Sequence, residues 1–184
     1  MTTVKINLAA LEQKFHPCTP EFIKNVCQAR CCRSSTDPSG IAVVVTKSEA
    51  ITLRVLGAEV DSDSGRVAPI NRRCPFQSGE THLCSLHNSS AKPRGCIISP
   101  FTINLNRTLI VRNRYRLLPC FKAEGAIPVN QAHRGSLVAL FGERQVENLE
   151  EKIKEKREKS INLTISEELE RVLLHKNQAS RAKL

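Results

Sequence analysis

The sequence predicts an α+β fold: a small, loop-rich domain organised around cysteines, with a helical C-terminal extension. Three observations lead there. Eight cysteines are spread through 184 residues, with no tryptophan and an aromatic content of only 4%. Short β-branched runs alternate with stretches that carry helix-capping residues. Residues 57–100 hold many Gly, Pro, Ser and Asn and no long periodic segment, a loop too long for a compact domain unless something ties it down.

The elements follow in order. Val4, Leu8, Leu11 and Phe15 form a helical stripe over 4–15, with Asn7 as a cap. Thr19 is an N-cap with Pro20 at the first helical position, and this helix delivers Cys27 and then Cys31 and Cys32. Arg33 to Gly40 (RSSTDPSG) reads as a turn, and Ile41 to Val45 as a strand. Thr46-x-x-Glu49 fits a capping box opening a helix to about Leu56, with Gly57 at its end. Thr102–Leu105 and Thr108–Val111 read as a hairpin around Asn106-Arg107. A charge-rich helix runs from Ser136 to about Lys159, then an alternating strand over 161–165 and a helix from Ser166. The expected division is an N-terminal helix over 1–15, a cysteine domain over 16–125 and a helical extension with a short strand over 126–184.

Charge is uneven. The net +10 is concentrated in residues 66–122, where ten basic residues face one acid, Glu80. Arg112, Arg114 and Arg116 alternate, so on a strand they share a face and, with Arg107, offer contacts to nucleic acid or another anionic partner. The competing expectation is compensation of a negatively charged thiolate site. No run of about 18 apolar residues occurs, which argues against a transmembrane helix. The first residues lack a secretory h-region, so a cytoplasmic location is expected, where disulfides rarely persist.

The cysteines are Cys18, Cys27, Cys31, Cys32, Cys74, Cys84, Cys96 and Cys120. Thiolates are soft ligands for zinc or iron–sulfur clusters, and a tight group followed by widely spaced members supplies donors from separate loops. The candidate ligands are Cys27, Cys31, Cys32, Cys74, Cys84, Cys96 and Cys120, with Cys18 as a bystander. A disulfide framework or buried apolar thiols are the competing readings. His82 and His87 flank Cys84 as further candidate donors; His16 and His133 have weaker claims. No phosphate loop, Ser-His-Asp order or carboxylate pair is recognisable, so no catalytic constellation is assigned.

The residues around the cysteines carry more information than the spacing alone. CQARCC at 27–32, CPF at 74–76, LCSL at 83–86 and KPRGCIISPF at 92–101 resemble the YkgJ-type (CxxCxxCC) family of zinc- or iron-chelating domains. The resemblance covers roughly 27–120. The chain departs from the family signature in having Cys27-x3-Cys31-Cys32 as its first group, His87 in a common Tyr position, Lys92 before Pro93 and Ile97 after Cys96. The resemblance implies metal chelation, with a 4Fe-4S cluster or zinc as cofactor, in a structural or electron-transfer role or as accessory to a modification enzyme. The alternative is a basic nucleic-acid-binding module stabilised by a structural metal. The tail INLTISEELERVLL also resembles the opening of ribbon-helix-helix proteins, with Asn162 and Thr164 facing the groove. The C-terminal helices offer a surface for a protein partner.

Overall fold

The computed structural model describes residues 1–33, 43–167, 169, 170 and 173. It is an α+β protein, as the sequence predicts. The described chain forms two compact units: Met1–Pro17 together with the described part of Ile97–Asn177, and Cys18–Cys96. We call them the sheet unit and the cysteine unit. These boundaries replace the expected division at 15 and 125, because the N-terminal and C-terminal segments build one sheet together.

In the sheet unit, β1 (Thr2–Asn7) pairs parallel with β4 (Thr108–Val111) and antiparallel with β6 (Ser160–Ile165). β3 (Phe101–Ile103) pairs with β4, giving the order β3-β4-β1-β6. The helix expected over 4–15 is therefore corrected. Its first half is β1, whose burial alternates so that Thr2, Val4 and Ile6 are inside. Two ladders of backbone hydrogen bonds favour the extended form over the helical stripe. Asn7 does cap a helix, but a short one, α1 (Leu8–Leu11), by accepting from the Ala9 amide at 3.1 Å. β2 (Lys14–Phe15) then pairs with β5 (Ile127–Pro128) in a second small sheet.

The β3–β4 hairpin forms where the sequence places it. Asn104 Oδ1 accepts from the Asn106 and Thr108 amides at 3.0 and 2.9 Å, and Arg107 takes a positive φ of 51°. The long helix expected from Ser136 is instead two helices. After α5 (Val129–Ala132), α6 (Arg134–Phe141) stops at Gly142 (φ 79°) and α7 (Glu143–Glu155) begins. That backbone conformation suits glycine and interrupts the i→i−4 ladder. Leu137 and Leu149 lie on these two helices with no exposed surface. Each such leucine contributes roughly 1.5–3 kcal/mol of burial.

β6 is part of this sheet rather than of an appended extension. Asn162 and Thr164 are exposed on it, and Thr164 is tied to Gln145 of α7 through its amide at 3.0 Å and its carbonyl at 3.1 Å. The ribbon-helix-helix arrangement is not what the strand adopts here, since its partner is β1 of the same chain.

The cysteine unit has little regular structure. α2 (Pro20–Phe22) is capped by Thr19 as expected and continues as a π-helical turn, Ile23–Cys27. A 3-10 turn, Arg30–Cys32, follows. α3 (Lys47–Val55) opens with the full capping box of Thr46 and Glu49 and ends before Gly57 (φ 88°). α4 (Arg94–Ile97) carries Cys96. Val43, Val45, Ala50, Leu53, Ala58, Val60, Val67 and Leu86 form the apolar core. The turn expected at 33–40 and the start of the strand expected at 41–45 lie outside the described residues, apart from Arg33. Within 43–45, Val44 bridges to Arg66 and the Val45 amide donates to the Gly65 carbonyl at 2.8 Å. No described helix is long and apolar enough to cross a membrane.

Candidate metal centre

Six of the seven candidate ligands, Cys27, Cys31, Cys32, Cys74, Cys84 and Cys96, fall in the cysteine unit; none of the eight cysteines is in a disulfide. Local geometry presents the first group. The π-helical turn ends at Cys27, and Gln28 and Ala29 follow with φ of 51° and 45°. Two successive left-handed non-glycine residues cost energy and persist where surrounding contacts hold them. They reverse the chain so that Cys31 and Cys32 follow on the 3-10 turn, with their sulfurs 3.9 Å apart.

Backbone hydrogen bonds fasten the second group to the first. The Cys74 amide donates to the Cys32 carbonyl at 3.1 Å, and Arg33 and Arg73 form a bridge. The turn before it, Asn71-Arg72, has two positive φ values and returns the chain to Arg73. Gln77 then bridges to Cys84, while the Ser85 amide donates to the Phe76 carbonyl at 2.8 Å. Cys74, Cys84 and Cys96 each pack against the apolar core of the unit. Cys96 is held through its own helix: its amide donates to the Pro93 carbonyl at 2.8 Å, and the amide of Arg94 donates to Glu49 Oε1 at 2.7 Å.

The electrostatics reflect this gathering of sulfurs. The Cys32 thiol is held well above the usual range, first by its hydrogen bond with Cys31, then by burial and by nearby Cys31, Cys96 and Cys74. Burial, with Cys84 and Cys31 adding to it, raises Cys74 against an opposing hydrogen bond from the Phe76 backbone. Cys18, assigned as a bystander, stands beside the group. Desolvation and then Cys31 and Cys27 raise its thiol, although the residue as a whole is exposed. For a residue so accessible, the neighbouring sulfurs are the more persuasive cause.

Other expected residues are placed differently. Cys120 folds into the sheet unit, where it is buried and its carbonyl accepts from the His16 amide at 2.8 Å. His16 and His133 are also in that unit. His87 Nδ1 lies 3.3 Å from Lys92 Nζ, whose charge lowers the His87 pKa. His82 has a positive φ of 61° and a buried Nδ1 without a hydrogen-bond partner.

The basic stretch is split between the two units. Arg66, Arg72, Arg73, Lys92 and Arg94 share the cysteine unit with Glu80, whereas Arg107, Arg112, Arg114, Arg116 and Lys122 belong to the sheet unit. The alternating arginines are not on a strand: Asn113–Leu117 is a 3-10 turn, so the expected common face does not form. Arg114 lies over the Tyr115 ring at 5.1 Å, Arg116 donates to Gln13 at 3.0 Å, and Arg107 pairs with Glu170 at 3.4 Å.

Among the described residues, no three Cys, His, Asp or Glu side chains stand in a ligating arrangement. The donor chemistry still fits a soft metal, since thiols from four separate segments are held in one unit, three of them against one apolar core. Sequence reasoning missed Gln77 and the Glu49–Arg94 bond. Both depend on contacts between distant segments, and a Gln between two cysteines carries no signal of its own. Comparison with family models, curated proteins and solved structures returns no match.

Proposed function

We propose that the cysteine unit is a metal-binding module that takes zinc or a 4Fe-4S cluster through a subset of Cys27, Cys31, Cys32, Cys74, Cys84 and Cys96. Its use is structural or electron-transferring. The observation that carries this reading is that distant segments bring their cysteines into one unit: the Cys74 amide is hydrogen-bonded to the Cys32 carbonyl at 3.1 Å, and Cys74, Cys84 and Cys96 pack against one apolar core. Reduced thiols so placed oppose one another's ionisation, and a bound cation reverses that penalty. The resemblance of CQARCC, CPF, LCSL and KPRGCIISPF to YkgJ-type chelating domains supports the same conclusion.

Zinc would supply a redox-inert tetrahedral cross-link, and a cluster would supply one-electron chemistry. Either adds stability to a unit whose apolar core comprises eight buried residues among those described. Arg66, Arg72, Arg73, Lys92 and Arg94 add positive charge in the same unit, suited to a thiolate site that keeps net negative charge. The proposed donor set is confined to the cysteines of the cysteine unit, and Cys120 belongs to the sheet unit.

The test is elemental analysis and visible absorption of the full chain purified without oxygen. Broad visible absorption with iron and sulfide identifies a cluster; a colourless protein with stoichiometric zinc identifies zinc. Cys32→Ser should abolish metal retention and Cys120→Ser should preserve it. Metal-free wild-type protein that takes up neither zinc nor a reconstituted cluster overturns the proposal, and salt-dependent retention on nucleic acid would then direct attention to the basic residues.

A further inference from the structure

Gln77 is hydrogen-bonded to the segments that carry Cys27, Cys74 and Cys84. It is only 9% exposed. Its backbone amide donates to the Cys74 carbonyl at 2.9 Å, and it forms a bridge with Cys84. Its side chain reaches 49 residues back along the sequence, where Nε2 donates to the Gln28 carbonyl at 3.0 Å. The second hydrogen on Nε2 is directed to the His82 carbonyl at 3.4 Å.

Gln28 follows Cys27 directly, so holding its carbonyl holds the Gln28–Ala29 peptide, one residue beyond Cys27 in the left-handed turn. The orientation of the amide is determined by its two acceptors, because the flipped form would set Oε1 against two carbonyl oxygens. Oε1 itself is buried without a hydrogen-bond partner, which disfavours the folded state. Local stability alone is a poor reason to keep an amide in such a place. An apolar side chain of the same length would avoid that cost.

We propose that Gln77 is a positioning residue for the cysteine cluster, fixing the segments that carry Cys27, Cys74 and Cys84 relative to one another. The inference deepens the metal-binding reading, and its metal-dependent consequence rests on that reading. Gln77 is never a ligand in this account. Its side chain acts through the Gln28 and His82 carbonyls, in the segments that carry Cys27 and Cys84, as supporting hydrogen bonds around metal sites do.

The informative variant is Gln77→Met, which preserves side-chain length and removes both donors. The loss of two hydrogen bonds is offset by the loss of the unsatisfied Oε1, so the fold should be retained, as far-UV circular dichroism and urea unfolding would verify. Two assays on the full chain follow. In the reduced, metal-free protein, fluorescence from dibromobimane reports cross-linking of neighbouring thiols. In an anaerobic titration with cobalt(II) alone, the thiolate-to-cobalt charge-transfer band reports ligation.

The expected result is a several-fold slower bimane reaction and a cobalt affinity about 10–100-fold weaker, the usual range for second-sphere losses. Gln77→Glu, which sets a carboxylate oxygen against the same two carbonyls, should lose at least as much as Gln77→Met. Gln77→Lys, which restores a donor, should recover part of both signals. Unchanged bimane and cobalt signals in Gln77→Met and Gln77→Glu overturn the inference, as does a loss that merely follows unfolding in circular dichroism. If bimane cross-linking falls while wild-type protein shows no cobalt–thiolate band, the positioning role stands and the metal reading fails.

Discussion

Glu49 Oε1 accepts a hydrogen bond from the backbone amide of Arg94 at 2.7 Å, while Oε2 of the same carboxylate accepts from the Thr46 amide at 2.7 Å. One side chain therefore closes the capping box of α3 and tethers the helix that carries Cys96. Two backbone donors converge on one carboxylate, and hydrogen bonds to a charged group are stronger than neutral ones.

Glu49→Ala should lower stability by about 1–2 kcal/mol, through loss of the box and of the tether. Glu49→Gln, which retains one acceptor oxygen, should lose less. Urea unfolding measures both, and equal losses for the two variants would show that the second bond contributes nothing.

The left-handed turn at Gln28 and Ala29 gives a second prediction. Ala29 is buried at φ 45°, where a β-branched residue is strongly disfavoured. Ala29→Val should destabilise the protein by more than about 1 kcal/mol. Ala29→Gly should be close to neutral, because relief of the left-handed strain offsets the lost methyl burial. Thermal unfolding of the pair compares them directly; equal effects would show that the turn relaxes.

His133 predicts acid sensitivity in the sheet unit. Its ring meets Phe15 edge-on at 6.2 Å, and burial pushes its pKa down from 6.5 to about 4. Between those values the unfolded chain binds a proton that the folded chain refuses. The contribution of this histidine is therefore complete above pH 6.5 and falls as the pH drops towards 4, by about 3 kcal/mol in all. His133→Leu should flatten that part of the stability–pH curve in urea titrations. An unchanged slope in the variant would assign the acid sensitivity to other groups.

How much of this was legible depends on the range of the interaction. Thr46 and Glu49 are three residues apart, Thr19 and Pro20 adjacent, and the Asn104–Thr108 turn spans five residues; each forms as the sequence predicts. The α6–α7 break was missed because Leu137, Leu140 and Leu149 continue an apolar pattern across Gly142, and only the backbone conformation reveals the interruption. Arg112, Arg114 and Arg116 alternate as a strand would require, but the chain tightens into a 3-10 turn and their faces diverge.

The sequence by itself determined the inventory: thiols in a fixed order, a basic middle stretch, and local caps whose donors and acceptors lie within one turn. Tertiary structure decided which pieces keep company. Val4 and Ile6 became strand residues because partners at 109, 161 and 163 complete their ladders, and no periodicity within 4–15 contains those partners. In the same way, the Gln77 amide found the Gln28 carbonyl, the Cys74 amide found the Cys32 carbonyl, and Cys120 went to the sheet unit. Hydrogen bonds between distant segments depend on three-dimensional approach, and that distance is not written in sequence separation.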